Sequence, residues 1–274
     1  MKKAVLLSLL FAACSTPTVA DSFSLPIWKE DAEALGYTLP KPIGFNLSYM
    51  TMEQGINVDS IDLQGLDFIQ LNADPGKQYT EVLTLRADVW LFPFLNLYGL
   101  VGKLDGYSTT DVTLTAGFNP NRPIITHKIQ DFRLDLDGYT TGFGAVLVGG
   151  YENWFALVDA SFTQSRLTVI EGTIDAIVIS PRVGYDFNRH GTPLRIWAGA
   201  MYQDVEQMLR GSVSDLSPSS RGLSNLKFEV QQHLQTPWNP IVGMQYQINE
   251  SWYLLGEFGF GDRQSMFFSV DRRF

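Results

Sequence analysis

The chain has 274 residues, with 20 Lys or Arg against 29 Asp or Glu, which gives a net charge of −9 near neutral pH. This acidic balance argues against nucleic-acid binding, because such binding needs a basic footprint. A single cysteine excludes a disulfide framework. The length suits one domain, and no linker divides the sequence in two.

The first segment in chain order is a short apolar run at residues 4–13, preceded by two lysines. The run is too short for a transmembrane helix, so it predicts a cleaved secretory signal peptide over residues 1–20. A second interpretation stays open, because Cys14 ends a sequence similar to a bacterial lipobox and would then carry a lipid. Beyond this segment, no stretch approaches the apolar length of a membrane-spanning helix.

A short helix is predicted over residues 24–36. The segment has a candidate N-cap, an early Pro, acidic residues in its first turns and Gly at its end. We assign it to an N-terminal segment, residues 21–42, that precedes the main domain at 43–274. Two interpretations stay open: the helix plugs or lies beneath that domain, or it is a leader that packs nowhere in particular.

From residue 43 onward, apolar and polar residues alternate in runs of about ten residues, the period and length of membrane-crossing strands. The hydrophobicity is dispersed, which is typical of a barrel whose lipid-facing and lumen-facing residues alternate. The predicted connections are short turns near residues 93, 152, 189 and 249, and long polar segments at 54–79, 106–137 and 208–236.

Short turns at one end and long loops at the other are typical of transmembrane barrels, so we predict an all-β, closed antiparallel barrel of about ten strands. An even number lets the last strand pair with the first and leaves no edge. Twelve strands stay open if residues 109–134 cross the membrane as a further hairpin, and eight is the lower alternative. We favour an outer-loop hairpin there, because Asp131, Arg133 and Asp135 make a poor membrane wall.

Aromatic residues are expected at both membrane interfaces of such a barrel. The tryptophans that we place near the short-turn ends of strands are Trp90, Trp154, Trp238 and Trp252. The tyrosines that we place on the lipid-facing side are Tyr98, Tyr185 and Tyr246.

The last predicted strand, residues 264–274, has one mostly apolar face when it is counted back from Phe274 in steps of two. This pattern resembles the terminal strand of Gram-negative outer-membrane β-barrel proteins, whose last residue is typically Phe. Arg272 departs from the pattern, because the family usually has an apolar or aromatic residue there. The resemblance implies an assembly signal formed by Met266, Phe268, Val270 and Phe274.

The same resemblance implies a location and partners. The protein is expected in the outer membrane of a Gram-negative cell, with residues 21–42 and the short turns in the periplasm. Its expected partners are outer-membrane lipid, the barrel-assembly machinery that reads the terminal strand, and periplasmic chaperones during biogenesis. Nucleic acid is not expected as a partner, and the oligomeric state is left open.

Charged residues on the predicted lumen side are balanced in sign, five basic and five acidic. Buried charges persist only when compensated, so such a set is expected to pair with itself in a narrow barrel. Either the pairs fill the lumen, or they line a narrow, weakly selective passage. The predicted lumen charge network is Arg86, Asp88, Lys103, Asp159, Arg182, Asp186, Arg195, Glu257, Asp271 and Arg273.

Within this network we expect Arg182 to meet Asp159, and Glu257, Asp271 and Arg273 to interact on the last two strands. These pairs lie on strands that are adjacent in the predicted barrel.

The three histidines, His127, His190 and His233, have no motif of the known barrel hydrolases around them. We therefore predict no catalytic, cofactor-binding or metal-binding residue. The predicted function is non-enzymatic: a structural, surface-interaction or narrow passive-channel barrel. Two alternatives stay open, an outer-membrane enzyme that acts on lipid or peptide at the outer rim, and a lipidated periplasmic β-protein.

Overall fold

The computed structural model describes residues 25–64, 69–116, 125–168, 171–212 and 227–274. The predicted signal peptide and Cys14 lie outside these residues. The helices are α1 (Lys29–Ala34) and a 3₁₀ turn (Asn188–His190). The strands are β1 (Ile43–Gln64), β2 (Ile69–Ala73), β3 (Gly76–Phe92), β4 (Leu95–Ala116), β5 (Ile125–Asp135), β6 (Gly138–Tyr151), β7 (Trp154–Leu167), β8 (Glu171–Asp186), β9 (Leu194–Ser212), β10 (Lys227–Leu234), β11 (Trp238–Gln247), β12 (Trp252–Gly259) and β13 (Gln264–Arg273).

Ten of the described strands form a closed antiparallel ring, in the order β1, β3, β4, β6, β7, β8, β9, β11, β12 and β13. The ring closes where β13 pairs with β1, from Gly44 opposite Arg273 to Glu53 opposite Gln264. The predicted closed barrel of about ten strands is therefore confirmed. Among the residues that the model describes, no helix is long and apolar enough to cross a membrane.

An apolar belt surrounds the barrel because successive strand residues point to opposite faces. On β7 the outward residues from Trp154 to Phe162 are exposed and apolar, while Asp159 on the same strand faces inward. Five outward residues span nine positions, which is about 30 Å along the strand and roughly 23 Å in height at a tilt of about 40°. This height matches the apolar band of a transmembrane barrel, about 25 Å.

Three short strands extend ring strands beyond the belt at the long-loop end. β2 continues β3, and β10 continues β11. β5 continues β6, because both pair with β4 in one register where they meet: Asp135 is opposite Tyr107, and Gly138 is opposite Leu104. The segment 109–134 thus forms a hairpin outside the ring, as predicted. Its bulge is held by the Asp131 backbone N–H, which donates to the Asp111 carboxylate at 3.0 Å and holds the pKa of that carboxyl below its ordinary value.

The ring narrows above the belt because the β12–β13 hairpin is short, with strands of 8 and 10 residues. Beyond its turn at 260–263, β10 pairs with β1 on one side and β9 on the other. Eight strands remain at that level: β1, β3, β4, β6, β7, β8, β9 and β10. An eight-stranded barrel has an interior just wide enough for side chains to fill.

Arg263 stands at the point where the ring narrows. Its side chain is almost fully buried and donates to Gln203 Oε1 at 2.7 Å and to the backbone carbonyls of Met201 and Pro237 at 3.1 and 3.3 Å. The Pro237 carbonyl also accepts the Gln203 backbone N–H at 2.9 Å. Arg263 therefore strengthens the contact between β9 and the segment that joins β10 to β11, where the number of ring strands changes.

The N-terminal segment lies against the short-turn end of the barrel. Helix α1 has six residues and none is buried, so it does not plug the lumen, and it is shorter than the predicted 24–36 because Trp28 gives it no side-chain cap. The Trp28 ring packs 5.0 Å from the ring of Phe92. The Tyr37 hydroxyl donates to the Gly150 carbonyl at 3.0 Å. The segment therefore lies beneath the barrel.

The aromatic assignments need two corrections. Tyr98 faces the lumen, not the lipid. Trp90 lies near the short-turn end of β3, as predicted. Trp238 lies at the long-loop end, because it begins β11 and pairs with Tyr202, far from the short turn that follows β11. Trp154 and Trp252 do lie outward at the short-turn end.

Candidate functional site: the barrel lumen

The structure places nine of the ten predicted network residues on the lumen side and corrects the tenth. Lys103 points outward and its side chain is 58% exposed, while the adjacent Leu104 is buried. Inward positions on β4 are even-numbered, beginning with Asn96 and Tyr98. The errors at Lys103 and Tyr98 therefore share one cause, a one-residue error in the parity of β4.

One half of the network surrounds Asp88, whose side chain is 1% exposed. Its carboxylate accepts hydrogen bonds from Asn96 Nδ2 and Arg273 Nη2, each at 2.6 Å. Arg86 Nη2 donates to Asn96 Oδ1 at 2.9 Å. Arg273 also lies 3.6 Å from the Asp271 carboxylate. Two cations and two carboxylates thus compensate one another on β3 and β13.

The other half surrounds Glu257. Arg182 binds its carboxylate through two hydrogen bonds, Nε to Oε2 at 2.7 Å and Nη2 to Oε1 at 3.0 Å, and Trp197 Nε1 donates to Oε2 at 2.7 Å. Asp159 lies 4.0 Å from Arg182 Nη1 and accepts a hydrogen bond from the Tyr98 hydroxyl at 2.6 Å. The two hydrogen bonds between Arg182 and Glu257 make a bidentate contact, the strongest form of Arg–carboxylate interaction.

The two halves form one network across the lumen. The Arg86 guanidinium carbon lies 3.7 Å from the centre of the Tyr98 ring, a cation–π contact that joins them. The expected contact of Arg182 with Asp159 exists, but Glu257 is the closer partner. Glu257 therefore pairs across the barrel, and not with the neighbouring β13. Arg195 and Asp186 form a separate pair at 2.7 Å.

Above the charge network, apolar side chains from opposite walls meet in the lumen. We call the first cluster the apolar layer; its buried members are Ile56, Leu104, Ile174, Ala176, Val205 and Leu234. A second cluster lies farther toward the long-loop end, formed by Leu134, Leu136, Leu209 and Val230. Ile56, Leu136 and Leu209 are fully buried, at 0% exposure, so no water reaches their side chains.

Buried glutamines lie among these apolar clusters. Gln54 Nε2 and Gln207 Nε2 both donate to Gln78 Oε1, at 3.4 and 2.9 Å. Gln232 is opposite Gln207 on the adjacent strand. The hydrogen-bonded amides of Gln54, Gln78 and Gln207 join β1, β3 and β9 across the narrowed part of the barrel.

Glycines make room for the aromatic rings of the lumen. A Cβ on Gly243 would lie 2.5 Å from ring carbons of Trp197, closer than side chains approach. We expect Gly243→Ala to displace the Trp197 ring, break its hydrogen bond to Glu257 and lower the free energy of unfolding by about 1–3 kcal/mol. Urea unfolding in detergent measures this. Gly256→Ala on β12 is the matched control, because its Cβ would meet only Phe268, at 3.4 Å, and an unchanged stability of both variants would contradict the close packing.

Sequence reasoning missed the neutral members of the network, Asn96, Tyr98 and Trp197, and the buried glutamines. Charge was the criterion for choosing lumen residues, and these side chains carry none. For Trp197 the available signal was its parity on β9, which it shares with Arg195, whereas for Asn96 and Tyr98 the parity of β4 itself was misassigned.

The histidines lie away from the lumen network. His233 Nδ1 contacts Asp59 Oδ2 at 2.8 Å on the outer face, and His190 Nε2 contacts the Tyr185 hydroxyl at 2.9 Å at the short-turn end. His127 is exposed on β5. Within the described parts of the chain, no three His, Cys, Asp or Glu side chains are arranged to hold a metal ion.

Comparisons with known proteins find similarity only to solved structures, at low sequence identity. No protein-family model matches the chain, and no curated protein matches it. Among solved structures, the outer membrane protein OprG from Pseudomonas aeruginosa is 11% identical with a TM-score of 0.43, covering 86% of this chain and 98% of its own. The translocator domain of autotransporter NalP from Neisseria meningitidis is 10% identical with a TM-score of 0.39, covering 90% and 94%. The Pseudomonas putida toluene transporter TodX is 9% identical with a TM-score of 0.35, covering 86% and 91%.

Proposed function

We propose that this protein is an integral outer-membrane barrel with a closed lumen, whose role is structural or surface-directed and not transport through the pore. Its signal sequence is removed on export, and its short turns face the periplasm. The barrel-assembly machinery, helped by periplasmic chaperones, inserts it through the terminal strand. The outward apolar belt and the unequal loop lengths support this placement.

The apolar layer is the observation that carries the closed lumen. Leu104 of β4 and Val205 of β9 lie four strands apart in the eight-strand ring, on opposite sides, yet they belong to one cluster. The cluster also includes Ile56 and Leu234, which face each other on the paired strands β1 and β10. Side chains in contact across a lumen leave no water-filled path for ions. Because the ring has only eight strands at this level, little space is left around them.

The charge network then acts as an internal brace. Its members lie on β3, β4, β7, β8, β9, β12 and β13, so it ties strands that do not pair with one another. Balanced, hydrogen-bonded charges favour one packing of the lumen over others, which suits a rigid scaffold better than an ion path.

Planar-bilayer recording tests this function. We expect the purified barrel to insert and remain electrically silent, while a pore-forming barrel in the same bilayers gives steps. A variant with Ile56→Ala, Leu104→Ala and Leu234→Ala removes the centre of the apolar layer and is expected to conduct in bursts. Regular conductance steps from the unmodified protein would overturn the closed lumen in favour of a narrow passive channel.

A further inference from the structure

A grid of polar and aromatic side chains covers the outer face of one wall, directly above the apolar belt. Its lowest row pairs Leu83 of β3 with Lys103 of β4, and Lys103 with Tyr139 of β6. The next row pairs Glu81 with Asp105. The row above pairs Tyr79 with Tyr107, and Tyr107 with Asp135. Because all these positions share the outward parity of Leu83, their side chains face away from the lumen.

These side chains line a groove on the outer surface, which we call the outer groove. Its lining includes Tyr79, Glu81, Asp105, Tyr107, Arg133 and Asp137. The rings of Tyr79 and Tyr107 lie 5.7 Å apart, and the Arg133 guanidinium carbon lies 3.9 Å from the centre of the Tyr107 ring. The groove therefore combines aromatic surface with hydrogen-bonding groups at its base and side.

Glu81 and Asp105 stand directly opposite each other on adjacent strands, and like charges in that position destabilise a sheet. Lys103, the next outward residue on β4, offsets this repulsion, because its Nζ donates to both Asp105 carboxylate oxygens, at 2.5 and 2.8 Å. The Tyr79 hydroxyl satisfies one oxygen of Glu81 at 2.7 Å. Each carboxylate oxygen has two lone pairs, so Glu81 and Asp105 keep acceptor capacity for further donors.

The chemistry of the groove limits the classes of ligand that it can bind. Acidic residues outnumber the single arginine in its lining, so a phosphate group alone would be repelled. Metal-ion binding is not supported, because no three acidic or histidine side chains in the described ranges are arranged for it. Hydroxyl groups on a ring that packs against tyrosine satisfy both the carboxylates and the aromatic surface. A sugar has this combination.

We propose that the outer groove binds the sugar headgroup of the glycolipid in the outer leaflet. The groove begins where the belt ends: Glu81 follows the belt residue Leu83 outward along β3, and Asp105 lies beyond Val101 on β4. A headgroup whose acyl chains lie along this part of the belt is held at that height. Arg166, which stands opposite Tyr139 in the lowest row, faces any phosphate on the membrane side of the sugar.

The test uses the full-length barrel in detergent and a labelled lipopolysaccharide as the probe. Glu81→Thr with Asp105→Thr removes both carboxylates and keeps β-forming residues at each position. A second like-charged outward pair supplies a matched control, because Asp175 of β8 stands opposite Glu206 of β9 outside the groove. The control is Asp175→Thr with Glu206→Thr.

We expect the Glu81/Asp105 variant to bind lipopolysaccharide at least about tenfold more weakly and the control to bind normally. Without lipid, both variants should keep a stability close to the parent's, since each loses a like-charge pair together with surface contacts, to Lys103 and Tyr79 in the first and to Gln164 in the control. Phosphatidylglycerol vesicles, which carry no lipid A sugar, should not compete. Equal weakening in both variants, or competition by phosphatidylglycerol, would overturn the sugar site.

This inference rests on the proposed outer-membrane placement, but a different experiment tests each of the two proposals. The placement is tested by heat-modifiable gel migration of protein extracted from outer membranes. The binding experiment uses purified barrel and is unaffected by that result.

Discussion

Arg182→Ala is expected to lower the free energy of unfolding by about 3–5 kcal/mol, the largest loss from any single lumen substitution. The reason is that Glu257, whose side chain is 6% exposed, would remain buried without its cation. Asp159 would lose a neighbouring charge as well. Urea unfolding in detergent micelles, followed by heat-modifiable gel migration, measures the change.

Two further variants separate the charge from the packing. Arg189→Ala removes an exposed arginine from the 3₁₀ turn and should change stability by less than about 0.5 kcal/mol. Arg182→Met combined with Glu257→Leu removes both charges and should regain most of the loss, apart from about 1 kcal/mol for the Trp197 N–H that loses its acceptor. A double variant as unstable as Arg182→Ala would show that the ion pair is not the source of the effect.

Deleting Phe274 is expected to reduce the yield of assembled barrel severely while leaving the properties of the assembled fraction unchanged. Its backbone N–H donates to the Ile43 carbonyl at 2.8 Å, and its ring packs edge-on 6.1 Å from the ring of Phe45. Both contacts lie at the seam where the ring closes. Quantifying the heat-modifiable form in outer-membrane fractions measures the effect.

The aromatic ring and the chain length are tested separately. Phe274→Tyr keeps the ring and should assemble normally, whereas Phe274→Ala should assemble poorly. Phe260→Ala is the control, because Phe260 is an equally exposed aromatic residue at the other end of the barrel. Normal yield from both the deletion and Phe274→Ala would contradict a role in assembly.

Arg272, the residue that departs from the terminal pattern, packs against two aromatic rings. Its guanidinium carbon lies 4.7 Å from the Phe274 ring centre and 5.3 Å from that of Trp252. A long cationic side chain at the belt edge can keep its charge near the headgroups while its stem covers aromatic surface.

The ring of ten strands was predictable because the apolar belt gives each ring strand a regular alternation of apolar and polar residues. Wherever outward residues form the apolar belt, as from Trp154 to Phe162, the alternation is regular, and the strand and its parity can be read from the sequence. The short turns near residues 93, 152 and 249 then fix the strand order, since each joins two antiparallel neighbours.

Parity was harder to predict where glycines and aromatics occupy both faces. On β4, Leu97, Tyr98, Leu100 and Val101 give an apolar residue at both parities, so the lumen side cannot be read from hydrophobicity alone. The error at Lys103 follows from that ambiguity. Lumen residues in a closed barrel also include apolar ones, and the apolar layer therefore resembles belt positions in the sequence.

The narrowing of the ring was not predictable, because it depends on pairing between strands far apart in the chain. Nothing local to Ile56 indicates that β1 changes its partner from β13 to β10 near that residue. The one sign of the narrowing is that β12 and β13 are shorter than β1. Local sequence gives poor estimates of where strands end, so this difference could not be predicted.

The change of partner along β1 divides the closing seam of the barrel between two ladders. From Gly44 to Glu53 the strand pairs with β13, and from Ile56 to Gln64 it pairs with β10, which precedes β13 in the chain. Loss of the β12–β13 hairpin would therefore remove the seam along the belt but leave β1 joined to β10 above it.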